Sequence, residues 1–488
     1  MITPSLDEAK KLAVGYTVVP IALEIFSDQK TPIEILRNIR RQNECCYILE
    51  SINGSDSWGR YSFVGYKPIK TVWGTGSVVT RQNGIVETEA DEDPVAVIRE
   101  MIAQYKSPRI PEFPPFTGGF VGYFAYDFVQ RFIPGLTLRG KNHAGFRDFH
   151  LMLMDKVIAF DHFKQKIYII VNIPTKNLEQ SYIQGVTELK DMEKEILTPA
   201  PAAGVEEESL VRGEFTPSFT EEAFKNNVET VKKHIVEGDI FQAVISNRFR
   251  ASFKGSLMNT YRILRTINPS PYMVYMSLGN MEIACSSPET LVALRDGEVS
   301  SFPLAGTCPR GQSPEEDKAL CEALLRDEKE LAEHDMLVDL ARNDLGRVCE
   351  FGSVKVREYR QIKRFSHVSH ISSHVVGTLS DGKDAMDVIA AALPAGTLSG
   401  APKKRACEII DAVEGIKRGV YGGAIGYMDF AGNMDMCIGI RMAVLKDGSV
   451  YVQSGAGIVA DSVPENEYRE TQNKARAVME AITRSGEM

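Results

Sequence analysis

Long apolar runs are missing from this sequence. No stretch approaches the roughly 20 residues that a membrane-spanning helix needs. The best apolar run near the N-terminus, in MITPSLDEAKKLAVGYTVVPIALEIF, is short and broken by Pro20. That stretch also lacks the charged-then-apolar layout of a secretory signal. Positive charge is in deficit: 56 Lys and Arg stand against 65 Asp and Glu, for a net charge of −9. With no basic stripe interleaved with aromatics, a nucleic-acid binder is disfavoured. The eight cysteines (Cys45, Cys46, Cys285, Cys308, Cys321, Cys349, Cys407 and Cys437) show no zinc-ligand spacing. A phosphate-binding P-loop is absent as well, because GTLSGAPK has the wrong interval between its second glycine and its lysine. These absences leave a reduced, cytoplasmic enzyme as the expectation.

What is present fits a globular chain: 488 residues, 43% hydrophobic and 25% charged, long enough for two domains or one composite body. The Pro-, Ala- and Glu-rich stretch around residues 201–214 has neither hydrophobic period and reads as a linker. It separates an N-terminal domain, 1–200, from a C-terminal one, 215–488. Strands are expected in KTVWGTGSVVT, KVIAFDHFKQKIYIIVNIP, FQAVISNRFRASF and PYMVYMSLGNMEIACSS, with helices at DPVAVIREMIAQY and TEEAFKNNVETVKKHIVEG. The Asp-Gly pair in KDGS marks a hairpin between MCIGIRMAVL and SVYVQSGAGIVA. Adjacent strands joined by short turns imply antiparallel pairing, hence an α+β fold whose two halves can share one sandwich.

Four segments carry chemistry. LPAGTLSGAPKKR reads as a tight turn entering a helix, with Pro402 as its first residue and an anion site or a plain capped loop as the alternatives. Ser313, Pro314 and Glu316 form the start of another helix, with Ser313 and Glu316 as a capping box. In that region EKELAEH sets Glu330 and Glu333 at i and i+3, and Glu467 and Glu470 repeat the spacing near the C-terminus. Such carboxylates suit Mg²⁺, although Glu470 and Lys474 also have the spacing of a surface ion pair. Arg441, in CIGIRMA, alternates on a strand with Ile440 and Met442 and shares its face with Cys437 and Gly439. The small neighbours leave room for a bidentate carboxylate, or for an ordinary salt bridge. FSHVSHISSHVVG places His367, His370 and His374 either as a helical metal triad or along an extended strand, which its Ser and Val content favours.

Taken in order, LAGTCPRG, EHDMLVDLARNDLGRV, FSHVSHISSHVVG, LPAGTLSGAPKKRACEIID, IRMAV and SGAGIVADSVPENEYRETQNKA resemble the chorismate-utilising enzymes. Within that family the chain is similar to the large subunits of anthranilate synthase, and YILESINGSDSWGRYSFVGYKP extends the resemblance into the N-terminal half. The resemblance implies an anthranilate-synthase-like fold of two packed antiparallel sheets flanked by helices. It implies Mg²⁺ as cofactor, held by Glu333 and Glu470. It assigns Arg441 and Tyr421 to the enolpyruvyl carboxylate, and Thr397, Gly455, Ala456 and Gly457 to the ring site. By the same resemblance His370 is the base of the aromatising step, Glu289 the acid for the departing ring hydroxyl, and Thr307 the residue closing the pocket. Glu50, Ser51, Pro271, Tyr272 and Met273 match a tryptophan feedback pocket, with a β-sheet interface as the plain alternative.

The implied reaction adds ammonia to chorismate and releases anthranilate and pyruvate, the first committed step toward tryptophan. Relatives that add water carry a lysine where this chain has Gln242. Many aminodeoxychorismate synthases, the nearest alternative, carry a lysine where PLAGT has Ala305. No cysteine stands in the Gly-x-Cys-x-Gly setting of a glutaminase nucleophile, so a separate amidotransferase subunit is implied.

Overall fold

The computed structural model describes residues 2–51, 59–82, 85–90, 92–198, 210–364 and 368–487. Two antiparallel sheets, of 13 and 12 strands among the described residues, pack face to face with helices outside. The α+β expectation is met. The strands that build the site or its surroundings are β1 (Cys45–Glu50), β2 (Gly119–Phe124), β3 (Gln242–Lys254), β4 (Tyr272–Leu278), β5 (Leu304–Pro309) and β6 (Val368–Thr378). They continue with β7 (Ala424–Asp429), β8 (Met434–Ile438), β9 (Met442–Lys446) and β10 (Ser449–Ile458). The helices that matter are α1 (Glu328–Gly346), α2 (Lys403–Glu414) and α3 (Pro464–Arg484).

Strands from the two halves of the sequence meet edge to edge in both sheets. In the first, β1 pairs with β4, setting Glu50 opposite Met273. In the second, β2 pairs with β7. The N-terminal half therefore completes each sheet of the C-terminal half. Between the sheets lies a dry core to which both halves contribute, with Phe116, Phe120, Tyr123, Val274, Met276, Ile425 and Met436 all buried. On the outer face of the first sheet, Leu189 and Met192, Tyr261 and Leu264, and Val478 and Ile482 bring three helices onto the strands. Burying a large apolar side chain contributes about 1.5–3 kcal/mol, so this two-sided pattern fixes which face of each strand looks inward.

Local chemistry explains most boundaries. The hairpin expected at KDGS forms between β9 and β10, with Asp447 and Gly448 at φ 48° and 72°, the backbone a two-residue turn of this hand requires. Ser313 caps its helix by accepting from the Glu316 amide at 3.1 Å, but the Glu316 carboxylate turns to the Gln312 amide at 2.7 Å. The capping box is thus only half made. Pro402 is the cap of α2 rather than its first helical residue, because its ψ of 139° is extended. Of the expected linker, residues 201–209 lie outside the described residues. From Leu210 the chain already forms a strand, Leu210–Pro217, paired with β3. No helix among the described residues is long and apolar enough to cross a membrane.

Candidate active site

Separated segments, all of the C-terminal half, converge on one cavity of about 590 Å³. Its walls are β3 and β10, β5 and β6, the turn before α2, and the facing helices α1 and α3. Antiparallel pairing puts Thr307 of β5 directly opposite His370 of β6. Pairing of β3 with β10 puts Ser246 opposite Gly455, and Gly455 and Gly457 share the cavity face. Ala456, between them, points the other way into a buried cluster with Phe224 and Ile409. Strand alternation thus turns its methyl away from the cavity and leaves only its backbone for the expected place in the ring site.

Arg441 reaches the cavity by a different route from the one alternation predicts. The run CIGIRMA is not one strand: β8 belongs to the second sheet and β9 to the first. Residues 439–441 are the crossing, and Arg441 sits there with φ 52°. A side chain launched from a crossing faces neither sheet surface, so Cys437 stays in the core while Arg441 lines the cavity. Its Nη1 donates to the Lys474 carbonyl at 2.9 Å, which fixes one side of the guanidinium plane. Burial lowers its pKa, opposed by the neighbouring Tyr421 and Glu470.

The carboxylates of α1 and α3 face one another. Glu330 and Glu333 on one helix, and Glu467 and Glu470 on the other, all line the cavity. Burial raises the pKa of Glu333, and Glu330 and Glu470 push it in the same direction. Burial likewise raises Glu467, with Glu470 adding to the effect. Like charges crowded into a half-buried site raise one another's pKa, and an all-oxygen set of this kind has the donor chemistry that could hold a hard divalent ion. Lys474 Nζ lies 2.5 Å from Glu470 Oε1 and 3.1 Å from the Gly455 carbonyl. The surface-pair reading of Glu470 is therefore realised, inside the cavity rather than on a free face.

The acid and base candidates occupy opposite chemistry. Glu289, just after the strand Met281–Ser287, accepts from Thr397 Oγ1 at 3.0 Å. Burial raises its pKa to about 7, against the opposing effects of that hydrogen bond and of Lys474. Near neutral pH about half of it therefore holds a proton that an ordinary glutamate has lost. Burial instead lowers His370, only partly offset by its bond to Gly306 and reinforced by Arg441. His370 Nδ1 lies 3.0 Å from the Gly306 carbonyl, which can only accept, so Nδ1 carries the hydrogen and the lone pair is on Nε2. Nδ1 is also 3.0 Å from Thr307 Oγ1. Of the other histidines, His374 stacks on Phe302 at 4.3 Å outside the cavity, and His367 lies outside the described residues. From Val368 on the segment is extended, as its composition favoured.

Two lysines of the cavity carry no distinctive signal in the sequence. Lys474 influences Glu289, Glu333 and Glu467 together, yet reads from spacing as half of an ordinary helical pair. Lys329 also lines the cavity. Gln242 and Ala305 are both on its wall. The three basic residues at the start of α2 do not face it: Lys403 pairs with Asp344, Lys404 donates to the Pro134 carbonyl, and Arg405 pairs with Asp239. What the turn contributes is Thr397 and Leu398. A Cβ at Gly396 would lie 2.0 Å from Leu340 Cδ2, so any larger residue there displaces that side chain.

Glu50, Ser51, Pro271, Tyr272 and Met273 line one smaller pocket at the β1–β4 seam, joined by Arg295, Tyr427 and Asp435. Glu50 is buried and is held by Tyr261 at 2.8 Å and by Arg265. Tyr272 links this pocket to the larger cavity. Its hydroxyl is 2.9 Å from Thr290 Oγ1 and donates to Asp435 at 2.8 Å, and Thr290 adjoins Glu289.

The chain matches the family model described as chorismate binding enzyme over residues 29–480. It is 44% identical to anthranilate synthase component 1 of Acetivibrio thermocellus, over 100% of both chains. It is 45% identical to that of Pseudomonas aeruginosa, over 98% of each. Among solved structures it is similar to anthranilate synthase component I from Streptococcus pneumoniae, with a TM-score of 0.76, 37% identity, and coverage of 93% of this chain and 98% of that one. The fold is also shared with the menaquinone-specific isochorismate synthase of Escherichia coli, at a TM-score of 0.71 and 19% identity, covering 98% and 100%.

Proposed function

Because the chain belongs to the chorismate-binding enzymes, and among them to the anthranilate synthase component 1 family, we propose that this enzyme acting on chorismate is Mg²⁺-dependent, takes ammonia from a glutamine amidotransferase subunit, and is inhibited by tryptophan. The observation that carries the reading is the pairing of a proton-bearing Glu289 with a neutral His370 on one cavity wall system, together with the four carboxylates and Arg441.

Chorismate is a dicarboxylate. Arg441 and Tyr421 bind its enolpyruvyl carboxylate, since a guanidinium plane and a phenol hydroxyl supply charge-assisted hydrogen bonds. Thr397, Gly455 and Gly457 bound the ring. Glu289 gives its proton to the ring hydroxyl as it leaves and the amine enters. His370 then takes the ring proton through Nε2 as pyruvate departs, while Gly306 holds the tautomer. Thr307 closes the wall beside it. Glu333 and Glu470 would hold Mg²⁺, with Glu330 and Glu467 supporting them, and Lys474 would release Glu470 in exchange. When bound, the metal supplies Lewis-acid stabilisation of the charge that develops on the substrate carboxylate.

Gln242 has no basicity with which to activate water, and Ala305 has no nucleophile, so free ammonia is the attacking group. Aminodeoxychorismate synthesis is the alternative, and product identity separates the two. Tryptophan feedback is supported by the pocket at the β1–β4 seam: the Glu50 carboxylate suits an amino group, and the seam joins the two halves. The eight free cysteines suit a cytoplasmic location. An assay of the full chain with chorismate and ammonium chloride at alkaline pH, following anthranilate fluorescence, tests the reading. Activity abolished by a chelator, restored by Mg²⁺ and suppressed by tryptophan is expected. Turnover indifferent to both agents would sink the metal and feedback claims.

A further inference from the structure

Arg418 is among the most deeply buried charged groups of the fold, at 1% exposure, and none of its atoms lines the cavity. Taking a guanidinium out of water costs several kcal/mol unless it is paired and its donors are satisfied. Here they are. Nε donates to Glu414 Oε2 at 2.9 Å and Nη2 to Oε1 at 2.5 Å, within a pair buried on both sides. Nη1 donates to the Leu398 carbonyl at 2.6 Å, and Nη2 also to the Val244 carbonyl at 2.6 Å. The face of the plane covers Tyr126 at 4.5 Å and lies 5.7 Å from the Tyr421 ring. Its backbone is held in turn: Asp127 accepts from the amides of Arg418 and Gly419 at 3.3 and 2.7 Å.

A buried ion pair adds little net stability over apolar residues of equal volume, so its retention calls for a geometric reason. The contacts supply one. Leu398 follows Thr397, whose hydroxyl holds Glu289. Val244 lies on β3 and lines the cavity, and Tyr421 lines it as well. Glu414 accepts from the amide and hydroxyl of Ser246, also on β3, at 2.8 and 2.9 Å. One rigid fork thus fixes three walls from behind. A lysine, with a single point charge, cannot bridge two carbonyls and a carboxylate in one plane.

We propose that Arg418 is a positioning residue for the reaction, setting the Thr397 turn against Glu289 and the ring of Tyr421 against the substrate. The proposal rests on the roles given above to Glu289 and Tyr421. Steady-state kinetics of the full chain with chorismate, ammonium chloride and Mg²⁺ test it, using Arg418→Met, Arg418→Lys, Thr397→Val and the Met/Val double variant. Arg418→Met lowers kcat by about 10- to 100-fold and raises KM. Groups acting through one contact are not additive, so the double variant loses no more kcat than the more damaging single substitution. Arg418→Lys restores the fold without restoring kcat. Should Arg418→Met fail to fold, Glu414→Gln, which keeps the shape and removes the charge, takes its place in the same cycle. Losses that multiply independently, or an Arg418→Met enzyme with unaltered kcat and KM, overturn the proposal alone. A Thr397→Val enzyme with full kcat shows that the Thr397–Glu289 contact carries no rate and overturns the proposal, whereas full kcat in Glu289→Gln overturns the reading of Glu289 as the acid.

Discussion

Glu289 is built at the expense of stability, and the cost is measurable. Its carboxyl titrates at about 7 in the folded protein against an ordinary 4.5, chiefly because burial disfavours the charge. In the interval between those values the folded state binds more protons than the unfolded chain. Stability therefore falls as pH rises through this window and levels off above it. At about 1.4 kcal/mol per pH unit, the interval sets the cost of an ionised Glu289 at roughly 3 kcal/mol. Glu289→Gln removes the charge and keeps an oxygen to accept the Thr397 hydroxyl, now at 3.0 Å. The variant should lose about 10²–10⁴-fold in kcat, as expected when a general acid is removed. It should also gain up to roughly 3 kcal/mol against urea at about pH 8, and almost nothing at about pH 4.5. Unfolding curves of both proteins at the two pH values provide the comparison. Equal stability at the higher pH, or the same gain at both, would refute the burial argument.

The other expectations concern separate walls. Glu333→Gln and Glu470→Gln should each weaken Mg²⁺ activation at least tenfold in a titration of rate against metal, whereas unchanged half-saturation would remove them as ligands. Gly396→Ala introduces a methyl 2.0 Å from Leu340 Cδ2, an overpacking worth about 1–3 kcal/mol. Activity should fall and return in the Gly396→Ala, Leu340→Ala double variant; no rescue would show that the glycine matters for another reason. Thr290→Val breaks the bond between Tyr272 and the segment bearing Glu289. Calorimetry should show tryptophan still binding while its effect on the KM for chorismate shrinks, and full inhibition in this variant would remove the contact from the regulatory route.

The strands and helices were legible because each follows a simple rule. The helix Glu221–Val236, capped by Thr220, and the Asp-Gly turn after β9 both depend on near neighbours. Spacing also placed Glu330 with Glu333 and Glu467 with Glu470 on their helices, but not the two helices against each other. Features that depend on distant contacts were harder to read. Arg441 reads as part of a strand face because nothing nearby marks the crossing from one sheet to the other at Gly439. The basic start of α2 resembled an anion site, although its charges are satisfied by Asp344, Pro134 and Asp239 from elsewhere in the chain. Lys474 had the spacing of a surface pair, and only the packing of α3 against β10 turns it inward. At Ala456 the methyl turns from the cavity that Gly455 and Gly457 line, so only its backbone is left to serve the site.

The position at which nitrogen enters the ring tests the account most directly. The purified chain is incubated with chorismate, Mg²⁺ and ¹⁵N-ammonium, and the products are resolved by NMR and mass spectrometry. The account predicts ¹⁵N in the amino group of anthranilate, beside the ring carboxylate, with one pyruvate released for each molecule formed. Label at the opposite ring position, in aminodeoxychorismate with no pyruvate released, would contradict it.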